Sequence, residues 1–104
     1  MNYCLIYVTT KDKAEAKAIG GHLVQSRLAA CVNIFDNMNS LYVWNGELQD
    51  DQEAVMIAKT TEANVPALIE AVKSKHSYEC PCIVSLPVKE GNPAFLDWIE
   101  EQVK

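Results

Sequence analysis

Apolar and polar positions along this chain alternate between two periods. Residues 3–9, "YCLIYVT", form an unbroken apolar run that predicts a strand buried on both faces. The period then lengthens, with Ala14, Ala18, Ile19, His22 and Leu23 recurring at helical spacing along one apolar face. Thr9 or Thr10 is placed to cap that helix, and Asp12 and Glu15 lie near the positive end of its dipole. A Gly20-Gly21 pair within it costs about 1 kcal/mol per residue relative to Ala, so close packing is expected there. Extended patterning returns at "RLAACVNIF", breaks around Asp36, Asn37 and Asn39, and resumes at "SLYVW". Asn45-Gly46 follows, and that dipeptide between extended runs marks a tight hairpin because its turn needs positive φ at both residues.

After the turn, "ELQDDQEAVMIAKT" reads as a long strand in which Ala54, Met56 and Ala58 alternate with Glu53, Val55, Ile57 and Lys59. A second helix presents Val65, Leu68, Ile69 and Val72 on one face. Pro66 is tolerated only in a first turn, which moves its start toward Asn64. "IVSLPV" supplies a last strand. Asn92-Pro93 then caps a third helix whose Phe95, Trp98, Ile99 and Val103 are expected to face inward. Strand, helix, strand, strand, helix, strand and a final helix make an α+β chain of the ferredoxin-like split βαβ type. The sheet is antiparallel and a long hairpin projects from it. The hairpin arms far exceed the usual five or six residues, and they carry Leu41, Tyr42, Val43, Trp44 and Leu48. Such an edge needs cover, either from side chains of the same subunit or, as preferred because no other segment is left over, from a second copy of the chain through paired edges.

Composition narrows the rest. At 104 residues the chain is read as a single domain, 1–104, large enough for a core without disulfide or metal staples. A net charge of -5 with no basic run gives a nucleic-acid backbone nothing to bind. The acidic stretch at residues 50–53 reads as a solvated strand rim. The opening stretch lacks a basic n-region and its apolar run is too short to span a membrane, so a cytoplasmic location is expected, without membrane association. Cys4, Cys31, Cys80 and Cys82 should stay reduced there. No phosphate loop, cofactor fingerprint or general base emerges, and the chain is read as a non-enzyme.

"RLAACVNI", "SLYVWNGELQDDQEAVMIAKTT", "HSYECPCIVSLPV" and "GNPAFLDWI" together resemble, in order and spacing, the landmarks of the CutA family of divalent-cation tolerance proteins. The resemblance implies a homotrimer of ferredoxin-like subunits with hairpins pairing across subunits, in an architecture like that of the PII signalling proteins. It also implies a cytoplasmic protein linked to metal tolerance, with copper as the ion usually named. The family's copper ligands are a cysteine near the end of the first strand and two histidines before a Pro-Tyr turn. Carried onto this chain they fall at Val8, Lys75 and His76, so only His76 is retained. Resemblance further places Trp44, Lys59, His76, Tyr78, Glu79 and Trp98 near clefts between subunits.

The family's turn usually reads His-Pro-Tyr-Glu-x-Pro-Glu, whereas "HSYECPC" here has Ser77 for the proline and Cys82 for the last glutamate, with Cys80 at the variable place. In an extended segment residues 80 and 82 point to one side. Copper or another cation such as Zn(II) could therefore meet both thiolates, with His76 as third ligand. The alternative is a plain turn, with small packing cysteines and a histidine at a helix C-terminus. Two functions stay open: a trimeric metal-binding protein of cation tolerance, or a PII-like signalling or scaffold trimer. The second would bind a small anion, another small ligand or a partner protein, with metal incidental.

Overall fold

The computed structural model describes residues 2–104. Its elements in chain order are β1 (Tyr3–Thr10), α1 (Lys13–Gln25), β2 (Cys31–Trp44), β3 (Glu47–Thr61), a 3-10 turn (Glu62–Asn64), α2 (Val65–Lys75), β4 (Ile83–Val88) and α3 (Pro93–Gln102). The sheet order is β2-β3-β1-β4 with every pairing antiparallel, which is the ferredoxin-like arrangement. Pro66 sits in the first turn of α2, and Asn92 caps α3 by accepting from the Ala94 N–H. Asp12, rather than either threonine, caps α1, because its carboxylate accepts from the Glu15 N–H at 2.8 Å. Thr10 instead donates its hydroxyl to the Asp12 carbonyl.

Strand alternation divides the sheet into two unlike faces. Cys4, Ile6, Val8 and Thr10 pair across from Thr60, Ala58, Met56 and Ala54, and all eight are buried. Ile19 and Leu23 of α1 and Leu68 and Val72 of α2 close over them. The face of α1 that packs is Ala16, Ile19, Gly20 and Leu23, whereas Ala14 and Ala18 point to solvent. Gly20 is the close approach: a Cβ there would lie 3.0 Å from Val32 and 3.3 Å from the Met56 sulfur, while Gly21 faces open space.

The other face lacks helices over most of its length. β1 is therefore buried on one side only, and its Tyr3, Leu5, Tyr7 and Thr9 are half-covered. Around them on that open face lie Ile57, Phe35, Val84 and Leu86, the last three exposed. α3 covers one end, where Ile99 and Val103 pack with Ala30 and Tyr3. Phe95 and Trp98 do not face inward. They remain 40% and 37% exposed because only one stripe of this short helix meets the sheet.

The hairpin gives the molecule its length, 45 Å against 25 and 22 Å in the other directions. Its turn has φ of 52° at Asn45 and 78° at Gly46, so both residues are left-handed as the dipeptide predicts. The break at residues 36–39 is a β-bulge within one continuous strand. Phe35 pairs with Val55 and Met38 with Glu53, so Asp36 and Asn37 together oppose one residue. Asn37 takes the left-handed conformation (φ 57°) that asparagine tolerates, and its N–H bonds the Asp36 carboxylate at 2.8 Å.

Candidate functional site

Residues 76–82 connect α2 to β4 across the end of β1. His76 caps the C-terminus of α2 with extended backbone, which turns its ring inward until the side chain has no solvent exposure. Nε2 lies 2.7 Å from the Thr9 carbonyl oxygen, and Nδ1 lies 3.0 Å from the Tyr78 backbone nitrogen. A carbonyl only accepts and a peptide N–H only donates. Nε2 therefore carries the proton and Nδ1 offers its lone pair to Tyr78. Both nitrogens are engaged. The Glu15 carboxylate stands 4.0 Å from Nδ1 but accepts instead from the N–H groups of Lys11 (3.0 Å) and Ser77 (2.9 Å). Burial pushes the Glu15 pKa up, yet those hydrogen bonds outweigh it and hold the carboxyl below its ordinary value.

Tyr78 packs its ring against His76 at 4.7 Å between centroids, and its hydroxyl donates to Glu53 at 2.8 Å. Glu53 is only 9% exposed, so the acidic stretch at 50–53 is not wholly a solvated rim. Burial, with the hydrogen bond to Glu53, pushes the Tyr78 phenol well above its usual value and keeps it a donor. Tyr42 donates its hydroxyl to Asp51 across the ribbon.

Between the ribbon and the connector lies a cavity of about 450 Å³. Tyr42, Trp44 and Tyr78 supply aromatic wall, Glu53 and Glu79 supply carboxylates, and Thr9, Cys80 and Cys82 complete the lining. Cys80 and Cys82 are exposed free thiols, and both line this cavity. His76 does not join them as a donor, since its nitrogens point at Thr9 and Tyr78. Among the described residues no group of three or more His, Cys, Asp or Glu is placed to hold a metal ion. Two thiols alone do not offer four-coordinate Zn(II) a complete shell among the described residues.

The six residues expected at a cleft divide into two groups. Trp44, Tyr78 and Glu79 line the cavity, with His76 behind Tyr78. Lys59 lies elsewhere, its ammonium 5.4 Å above the Phe95 ring, and Phe95 stacks on Trp98 at 5.5 Å. Six strand positions separate Glu53 from Lys59, roughly 20 Å along β3. Sequence reasoning passed over Tyr42, Glu53 and Thr9. The first two were within reach, because a two-residue turn at Asn45-Gly46 sets the ribbon register by counting outward: Trp44 meets Glu47, Tyr42 meets Gln49, and Met38 meets Glu53.

Among the described residues no helix is long and apolar enough to cross a membrane. The family model of the CutA1 divalent ion tolerance protein matches residues 4–102. The divalent-cation tolerance protein CutA of Thermus thermophilus is 44% identical over 97 residues, covering 93% of this chain and 94% of that protein. Protein CutA of Mus musculus is 42% identical over 95 residues, covering 91% of this chain and 54% of its own. The chloroplastic CutA 1 of Oryza sativa is 39% identical over 100 residues, 96% of this chain and 56% of that protein. The chain thus spans about half the length of the mouse and rice relatives. The crystal structure of CutA1 from Oryza sativa superposes with a TM-score of 0.98 at 38% identity, covering 100% of this chain and 95% of that one. A family match across nearly the whole length, a shared fold and identities above 40% place this chain in the CutA1 divalent ion tolerance family.

Proposed function

We propose that the chain acts as a homotrimer in divalent-cation tolerance, in the cytoplasm, with copper as the ion handled and Cys80 and Cys82 as its donors. The observation that carries the assembly is the open sheet face. Antiparallel sheets that meet water on one side normally turn polar residues outward, whereas here Phe35, Val84 and Leu86 are turned out. The far side of the ribbon adds Leu41, Val43 and Leu48, of which Leu41 and Leu48 are 68% and 73% exposed. Two apolar surfaces on one chain suit a closed ring of copies, and the trimer agrees with the family resemblance. Two thiolates facing one cavity are soft donors, which favours copper over hard cations, and a reducing compartment keeps them free. No catalysis is assigned.

Sedimentation equilibrium at low micromolar loading tests the assembly. The expected mass is about three times the 11.6 kDa chain, falling to the single chain in Leu86→Glu. A folded, stable single subunit in the parent protein sinks the trimer. Titration of Cu(I), Cu(II) and Zn(II) into reduced protein tests the donors. Soft-metal binding should disappear in Cys80→Ser/Cys82→Ser, and binding unchanged by that pair of substitutions rejects the thiol site.

The cavity favours a second reading, that of a PII-like signalling or scaffold trimer taking a small ligand, with metal incidental. Its size is within the range of small-molecule sites, and its walls are aromatic with a few polar groups.

A further inference from the structure

We propose that the cavity between the ribbon and the 76–82 connector binds a small alkylammonium cation, caged by Tyr42, Trp44 and Tyr78 and neutralised by Glu53 and Glu79. The inference rests on reading this cavity as a ligand site and names the class of ligand.

Elimination and complementarity lead to the same answer. Among the described residues no Lys or Arg lines the cavity, and two carboxylates do, so an anion would meet repulsion without a partner. A hard inorganic cation finds no three-donor group among the described residues, and one Glu53 oxygen already accepts from Tyr78. A neutral apolar molecule would leave the charge of the largely buried Glu53 carboxylate countered only by the Tyr78 hydroxyl. An ammonium carried on methyl or alkyl groups uses both the aromatic and the acidic walls. Its low charge density suits aromatic faces, which attract cations through the ring quadrupole, and its carbon shell suits an apolar surround. Two of the three rings are also held in place. The Tyr78 ring packs against His76 while its hydroxyl is fixed on Glu53, and the Tyr42 hydroxyl is fixed on Asp51. Such bonding limits the ordering needed when a guest arrives.

Choline chloride and its neutral carbon isostere, 3,3-dimethyl-1-butanol, are titrated into the full-length reduced protein. Saturation-transfer NMR of the methyl protons follows binding, with equimolar sodium chloride as the ionic control. Choline should bind about tenfold tighter than the isostere, the order of magnitude expected from desolvated cation–π contact. Trp44→Leu, at an exposed position, and Glu53→Gln, which keeps an acceptor for Tyr78, should each weaken choline severalfold, whereas Trp98→Leu should not. Equal binding of choline and isostere overturns the cationic assignment but leaves a ligand site standing. Absence of binding by both overturns the ligand-site reading as well. Choline binding that ignores both cavity substitutions places the contact elsewhere and also overturns the proposal.

Discussion

Replacing His76 by alanine separates a histidine that builds the site from one that holds a ligand. In the structure the ring is fully enclosed, Nε2–H satisfies the Thr9 carbonyl, and Nδ1 satisfies the Tyr78 N–H. Deletion strands one acceptor and one donor. Each buried, unpaired group costs about 1–3 kcal/mol, lowered where water can enter from the adjacent cavity. Lost ring packing against Tyr78 adds to this. A total near 2–4 kcal/mol is expected, which for a domain of this size lowers Tm by roughly 10–20 °C. Denaturant unfolding at one fixed protein concentration is the appropriate assay, because any self-association would couple apparent stability to concentration. A ligand held in readiness behaves differently, since removing it from an empty site leaves stability unchanged or raises it. A loss under about 0.5 kcal/mol in metal-free His76→Ala would refute the reasoning, and the ring would then be free to donate to a metal.

Two further outcomes follow from the geometry. Gly21→Ala should stabilise by about 0.5–1 kcal/mol through helix propensity alone. Gly20→Ala should fall at least about 1 kcal/mol short of it, because its new methyl meets the stiff Val32 side chain, and equal gains in paired urea unfolding would discredit the close approach. The Glu15 carboxyl, whose folded pKa is depressed, should contribute stability in full above the unfolded carboxyl pKa, roughly 4.3, and lose it as pH falls through the lower folded value. The stability gap between parent and Glu15→Gln, measured from pH 7 to pH 3, should therefore shrink on acidification, and a constant gap counts against the hydrogen bonds from Lys11 and Ser77.

Much of the fold was legible because its signals are local. Asn45-Gly46 demands left-handed backbone at two adjacent residues, Pro66 restricts where α2 begins, and the Gly pair flags a tight contact at Gly20. What escaped depends on distant partners. Alternation makes β1 look apolar on both sides, but whether the second side is covered depends on how far α3 reaches, and it reaches only to Tyr3. Phe95 and Trp98 share helical spacing with Ile99, yet a ten-residue helix crossing one end of a sheet buries a single stripe. His76, Cys80 and Cys82 looked alike as ligands within a seven-residue stretch. Only the tertiary structure brings the Thr9 carbonyl, 67 residues away, to the imidazole and so divides the histidine from the thiols.

The bulge at Asp36 and Asn37 decides which chemistry the ribbon presents to the connector. Side chains on a strand alternate, so Phe35 and Met38, three apart, would ordinarily lie on opposite faces. The extra residue restores parity, and both stand on the open side, across from Val55 and Glu53. Every position beyond inherits that choice. Ser40, Tyr42 and Trp44 share a face with Glu47, Gln49, Asp51 and Glu53, while Leu41, Val43 and Leu48 are turned to the other side. Without the bulge the ribbon would bring Leu41 and Val43 toward Tyr78 and Cys80 and carry Tyr42 and Trp44 away. One left-handed asparagine therefore sets Tyr42 and Trp44 on the cavity side, beside Glu53 of β3, and leaves Leu41 and Val43 on the other side of the ribbon. The cavity lining and the exposed Leu41, Val43 and Leu48 lie on opposite sides of the ribbon, and a register slip in β2 at Asn37 would exchange the β2 side chains while leaving Glu53 and Leu48 of β3 where they are.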